Sequence, residues 1–553
     1  MNDQQLKLLY HYLHKHFDDD EIEDLLNNHP LTGENGLRRM LGEIDPMYFC
    51  KAYIPSEFTK EFGEYAKEIL TTLKDSIESD RQENVCVICP REHGKSTMSS
   101  VATPVYSALY DKKKFILFIS ANADTAQNFL AKVKRTLENA EITEDFGKQR
   151  DKKRTWNADE IETSNGVWIA CSGWKAGIRG MNKPDVGRPD LICLDDLEDK
   201  DTIASDSLRK KLEGAFRDEI GRLGTHTTDM FYIGTLLAED SLLAKVMNEP
   251  SWDTLFYQCV TSFSDNEELW DEWRKVYRDR TNENRKDEAY EFYLNNKADM
   301  LEGANVLWDG RFPSDEVRYE GAYYNVMLNR EKWGETSFWK EDQNEPRSSK
   351  EFIFKDLLFW EELPKFEEMD IVCSVDPSMG KKDGDYSGIT VIGKHKVTGY
   401  KYVIEGIIEK LHPSKLIKRV VDLCKKYPIT TIGFESVAFQ EYVADDLKKM
   451  LKEKELYHVL VKPKSSRSNK FERIVNLEPF ITRGEILFNQ SSLAYNAQIK
   501  EFRNGCKNDD AADSLQLGFE LVEKIKPPRR IINKPEAFKV HKGRRKLFAR
   551  SRL

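Results

Sequence analysis

No stretch of the 553 residues approaches the roughly 18 consecutive apolar residues that a membrane helix needs, which excludes an integral helical membrane protein. The opening MNDQQLKLLYHYLHKHF lacks a basic segment followed by an apolar core, so no signal peptide is expected. Cysteine is sparse. The nine are scattered along the chain and odd in number, which reads as reduced thiols in a cytosolic setting. Cys86 and Cys89 form a lone CxxC with no second pair and no suitably spaced histidines, so they read as strand core rather than zinc ligands. No internal repeat is evident. An excess of positive charge is missing too: the net charge is -10. That disfavours a bulk DNA coat but leaves room for a DNA enzyme, because phosphate contacts need only a local patch and metal-holding carboxylates add negative charge.

What is present is a chain 39% hydrophobic and 33% charged, the balance of a globular protein with a heavily ionised surface rather than a disordered one. At about 150 residues per domain it has room for three or four domains, each able to bury a core without disulfide staples. Residues 1–45 read as helical and mostly polar. Residues 46–265 contain the runs VCVICP, FILFIS, VWIACS, LICLDD and MFYIGT, short and rich in Val, Ile and Phe, alternating with helical patterns. Such alternation predicts a buried, mainly parallel sheet covered on both faces. Residues 266–350 are charged, helical and studded with aromatics, as in a connector or subdomain. Residues 351–525 hold the closely spaced strands IVCSVD, GITVIG and KYVIEGII, then TTIGFE and HVLV with helices between, which predicts a mixed sheet of the ribonuclease H type. Residues 526–553 form a basic tail. From Lys524 to the end twelve basic residues face one acid, Glu536, the composition of an arm for nucleic acid or an acidic partner.

Two clusters point to chemistry. The first follows strand VCVIC, where Gly94-Lys95-Ser96-Thr97 opens a helix. A strand–loop–helix with Gly-Lys-Ser at the turn holds a triphosphate: amides and the helix dipole face the phosphates, the lysine meets the outer ones and the hydroxyl binds magnesium. The first glycine of the usual pattern is replaced by Cys89. Downstream, LICLDDLE ends in acids. Asp195 is the candidate for magnesium, with Asp196 or Glu198 as the base that activates water. Strand FYIGT ends at Gly234-Thr235, a place to sense the terminal phosphate. Arg91 and Arg179 are candidates for neutralising transition-state charge, with a surface ion pair as the alternative for each.

The second cluster is ordered along the chain: Asp376 ends one strand, Glu435 ends a later strand, and Asp509, Asp510 and Asp513 stand at a helix entry. This is the order expected of a two-metal nuclease, in which several carboxylates offset two divalent ions. Asp510 and Asp513 share a helix face, and Asp385 is a further candidate. Lys470 and Arg473 share a face as well, to meet a phosphate or orient a carboxylate.

These stretches, together with GIRGMNKPDVGRPD, SFWKEDQNEP, VDPSMGKKDGDYSG and NKFERIVNLEPFITRGEILF, resemble the large terminase subunit of tailed bacteriophages over about residues 90–520. The resemblance implies an ATPase that translocates double-stranded DNA and a ribonuclease H-like endonuclease that cuts concatemers. Gly94, Lys95 and Ser96 would match the phosphate loop, Asp195 the magnesium acid, Gly234-Thr235 the coupling motif, and Asp376, Glu435 and Asp510 the metal acids. It also implies ATP with Mg2+, two Mg2+ or Mn2+ at the nuclease, a homo-oligomeric ring on a portal protein, a small terminase subunit, and a place in the host cytoplasm docked on the procapsid. Where relatives often carry glutamate after the magnesium aspartate, this chain has Asp196. The alternatives are another ATP-dependent helicase–nuclease of recombination, or an assembly ATPase with inert carboxylates.

Overall fold

A computed structural model describes residues 1–525, apart from 177, 179, 347–352, 355, 378–385, 436–437, 465–469, 504, 505 and 507. Arg179, Asp385 and the basic tail therefore lie outside the described residues. The chain divides into two compact units, Met1–Trp360 with Ser466–Asp513, and Glu361–Ser465 with Ser514–Leu553.

The first unit starts with helices whose entries the sequence writes plainly. Asn2 and Gln5 form a capping box for Asp3–His16, Asp18 and Glu21 one for Asp19–Asn28, and Asp45 caps Pro46–Tyr53 with proline at its first position. Its sheet contains β1 (Asn84–Ile88), β2 (Phe115–Ser120), β3 (Glu160–Glu162), β4 (Trp168–Gly173), β5 (Leu191–Asp195), β6 (Asp229–Gly234) and β7 (Asp253–Phe256), in the order β3-β4-β2-β5-β6-β1-β7. All pairs are parallel except β3 with β4. The apolar runs are strands because both faces are covered. Val85 and Val87 pack into one core with Phe231 and Ile233, while Cys86 and Ile88 face the other with Met230 and Tyr232. Beyond the sheet, β8 (Val260–Ser262) pairs antiparallel with β9 (Asn305–Val306). Around them the charged helices Glu267–Arg278, Arg285–Asn295 and Ala322–Trp333 close over an aromatic core of Trp270, Trp273, Tyr293, Tyr324 and Phe338.

In the second unit β10 (Met369–Asp376), β11 (Ser387–His395) and β12 (Lys401–Glu409) run as an antiparallel meander, and β13 (Thr431–Glu435) and β14 (Leu460–Lys464) join parallel to β10, in the order β14-β13-β10-β11-β12. This is the mixed sheet expected, with β14 two residues later than HVLV. From Ser514 the helix ending at Glu523 lies on the sheet through small residues. A Cβ at Gly518 would meet Ser374 Oγ at 2.6 Å and one at Gly433 would meet Leu521 Cδ1 at 2.3 Å, so the close approach requires glycine. Among the described residues no helix is long and apolar enough to cross a membrane. All nine cysteines are free thiols, and eight, including Cys86 and Cys89, are buried.

Candidate functional site

The loop after β1 turns on two left-handed residues, Glu92 (φ 62°) and Gly94 (φ 75°), and delivers Lys95 to the start of a helix that continues to Leu109 through a widened, π-helical turn at Met98–Ala102. Ser96 and Ser100 stand four apart on that helix, so they share a face. Both donate to Asp195 at the end of β5: Ser96 Oγ to Oδ1 at 3.0 Å and Ser100 Oγ to Oδ2 at 2.6 Å. Asp195 is buried, and burial pushes its carboxyl up to about 7, helped by Asp196 beside it and opposed by Ser100, Lys95 and Ser96. A buried acid beside two hydroxyls is a donor set that suits a hard divalent cation, and the buried Lys95 lies nearby. Sequence reasoning missed Ser100; its spacing from Ser96 was the available signal.

The strand order places β6 between β1 and β5. Its end is tied to both sides. Cys89 N donates to Gly234 O at 3.2 Å, Thr235 Oγ1 donates to Cys89 O at 3.3 Å, and Asp196 N donates to Ile233 O at 3.1 Å. Asp196 is exposed and left-handed (φ 44°). Glu198 is placed differently. Its Oε1 accepts from Leu242 N at 2.8 Å and its Oε2 from Leu243 N at 3.0 Å, so it caps the helix Leu242–Met247, and it is buried. Of the two candidate bases, the geometry therefore turns Glu198 into a cap and leaves Asp196 accessible. Arg91 is exposed and pairs with Glu341 at 3.4 Å.

Beside the loop lies a cavity of about 450 Å³ walled by Phe58, Phe62, Tyr65 and Trp308, with Gly94 and Thr97 on its edge. His93 lines it. Its Nδ1 lies 2.8 Å from Arg91 O and so donates to it, and burial, with Arg311 adding to it, lowers its pKa to about 3. The imidazole is thus neutral, with Nε2 as an acceptor. Among the described residues, His93 Nε2 and Arg311 Nε are buried without a hydrogen-bond partner.

A second strap was not foreseen. Arg311 Nη2 holds Glu92 at 2.9 Å and its Nη1 lies 3.3 Å from Asp342. Arg91 N donates to Glu341 O at 3.0 Å, and Asn344 accepts from Leu236 N at 2.9 Å while donating to Tyr257 O at 2.8 Å. The segment Glu341–Asn344 therefore grips both the phosphate-type loop and the chain just after Gly234-Thr235. The motif SFWKEDQNEP contains it, but nothing in one sequence shows what those residues touch.

The second candidate cluster is described unit by unit. Asp376 closes β10 and is half-buried; the side chain of Glu435, last residue of β13, lies outside the described residues. In the first unit Asp510 opens its helix, buried, with Gln498 Nε2 donating to it at 3.3 Å and Gln498 Oε1 accepting from Ala511 N at 2.5 Å. Burial pushes Asp510 up to about 6, with Asp509 adding to it and its own amide and Lys470 opposing. Asp513 is met by Lys470 at 3.0 Å and Arg473 at 3.7 Å, and Lys470 also holds Asp509 at 3.0 Å. Asp513, read from the sequence as a metal acid, lies between these two cations, and Lys470 lies between Asp509 and Asp513. Among the described residues no three His, Cys, Asp or Glu side chains gather as a metal cage.

No family model matches the chain, and no curated protein does. Solved structures similar to it include the large terminase of a thermophilic bacteriophage, at 10% identity and TM-score 0.47 over 84% of this chain and 99% of that one. The nuclease domain of the human cytomegalovirus terminase is similar at 10% identity and TM-score 0.24, over 31% of this chain and 92% of its own. The ATPase domain of a Thermus phage large terminase is similar at 12% identity and TM-score 0.23, over 38% and 86%.

Proposed function

We propose that the chain is the large subunit of a DNA-packaging terminase: an ATP-driven motor on double-stranded viral DNA, joined to a metal-dependent endonuclease. One arrangement carries the motor reading. A buried carboxylate, Asp195, is gripped by two serines of the helix that Gly94 and Lys95 open, and the strand end between them is bonded to both sides. In this reading 46–265 is a P-loop ATPase core, 266–350 its connector, 351–525 a ribonuclease H-like nuclease and 526–553 an arm.

The triphosphate lies against the amides at Gly94–Thr97, with Lys95 on its outer phosphates. Ser96 and Asp195 would hold magnesium, which supplies charge neutralisation to the phosphates when bound. The base enters the aromatic cavity, where His93 Nε2 accepts from an exocyclic amine. Asp196 orients and deprotonates the attacking water, and Arg91 and Arg179 meet the developing charge, in this chain or a neighbour of a ring. Gly234-Thr235 and Glu341–Asn344 carry the change in the loop outward. At the nuclease, Asp376, Glu435 and Asp510 would hold two Mg2+ or Mn2+. Portal protein, small subunit and procapsid in the host cytoplasm are the partners that this role requires.

The base assignment is tested by two substitutions. Asp196→Asn should lower ATP turnover by about 10²–10⁴-fold while ATP still binds. Glu198→Gln should keep turnover and lower stability by roughly 1–3 kcal/mol, because one of two buried amides loses its acceptor. The reverse pattern, in steady-state ATPase assays and denaturant melts, would return the role to Glu198.

A further inference from the structure

Resting on the DNA-motor reading, we propose that a cationic hollow in the helical part of the first unit seats phosphates of the duplex backbone. The hollow has a volume of 210 Å³ and lies where the helices Glu267–Arg278 and Ala322–Trp333 end, beside the start of Arg285–Asn295 and the turn at Arg483–Glu485. Six cations line it against two carboxylates, in a chain whose net charge is -10. A local excess of four positive charges in a concave surface focuses an attractive field for anions despite the acidic whole.

The floor is built rather than incidental. Its two acids, Glu331 and Glu485, are buried and committed to arginines. Arg278 donates to Glu331 from Nε and Nη2 at 2.9 and 3.1 Å, and Arg274 Nε, from behind, lies 3.2 Å away. Arg483 Nε donates to Glu485 at 2.8 Å, Arg280 pairs with the same carboxylate, and Arg483 Nη1 donates to Glu331 O at 2.6 Å. The guanidinium planes are therefore fixed before any ligand arrives, which removes the ordering cost that weakens binding by flexible side chains. At the rim stand Arg285, Lys286 and Lys332; Lys286 and Lys332 are exposed, and among the described residues none of the three forms a salt bridge. Fixed forks below the rim cations match a phosphodiester, whose two free oxygens accept from both.

The test is the salt dependence of duplex binding by the full chain carrying Lys286→Gln and Lys332→Gln, with Lys286→Arg and Lys332→Arg as the charge-keeping control. Each lost phosphate contact should lower the slope of log affinity against log salt by about 0.9, so the double variant should lose nearly 2 and the control nothing, with DNA-free ATP turnover unchanged. An unaltered slope in the double variant overturns the site. So does an unaltered slope accompanied by thermal stabilisation of the wild type alone by tripolyphosphate, which would make it a seat for free phosphate. Failure of the wild type itself to bind duplex at low salt overturns the motor reading beneath it.

Discussion

Lys95→Ala should lower ATP hydrolysis by about 10³-fold and leave nicking of plasmid DNA in manganese intact. The size follows from position. Lys95 sits, only 7% exposed, at the start of the helix whose next residue binds Asp195, and in the proposed motor its ammonium would face the charge that develops on the transferring phosphoryl. Losing one preorganised donor there costs about 10²–10³-fold, and losing a full charge about 10³–10⁵-fold. Alanine adds no strain to the helix, so folding should be retained. Phosphate release assays and agarose-gel nicking on one preparation measure both halves. Parallel loss of nicking would mean that the two activities share a site or that the variant is unfolded.

Asp376→Ala should give the opposite pattern: ATP turnover unchanged and cleavage lost by about 10³-fold or more, since a metal-held water supplies several kcal/mol of transition-state stabilisation. Asp376 ends a central strand and is only half-buried, so truncation leaves the core of β10, Val372 to Val375, in place. Asp510→Asn should act likewise, while Asp513→Asn should act through stability, because it weakens the buried carboxylate's ion pairs with Lys470 and Arg473. Cleavage that survives Asp376→Ala in both magnesium and manganese would remove the nuclease assignment and leave the ATPase assignment untouched.

The central strands of the first unit were legible because a buried parallel strand must be apolar on both faces, as VCVIC, FILFIS and LICLD are, whereas the short strands β3, β7, β8 and β9 were not foreseen. HVLV was placed two residues early, and β14 runs through Pro463 to Lys464. It lies at the end of the strand order, where a missing amide is tolerated. The acids of LICLDDLE were visible, but which one remains accessible was not. Glu198 is claimed by amides 44 and 45 residues further on, and only the fold brings them together. Arg311 and Asn344 escaped for the same reason, since their partners Glu92 and Leu236 lie 219 and 108 residues away. Local pattern reveals the strand that carries a side chain; it does not reveal a partner delivered by another element.

The central claim, that hydrolysis at Lys95 and Asp195 moves an intact duplex, is tested most directly by third-strand displacement. The chain, assembled with its procapsid, is given a blunt duplex carrying a triplex-forming strand. ATP should release the third strand while the two duplex strands stay paired, and Lys95→Ala should release nothing. Separation of a forked duplex, or steady ATP hydrolysis without release, would contradict the account.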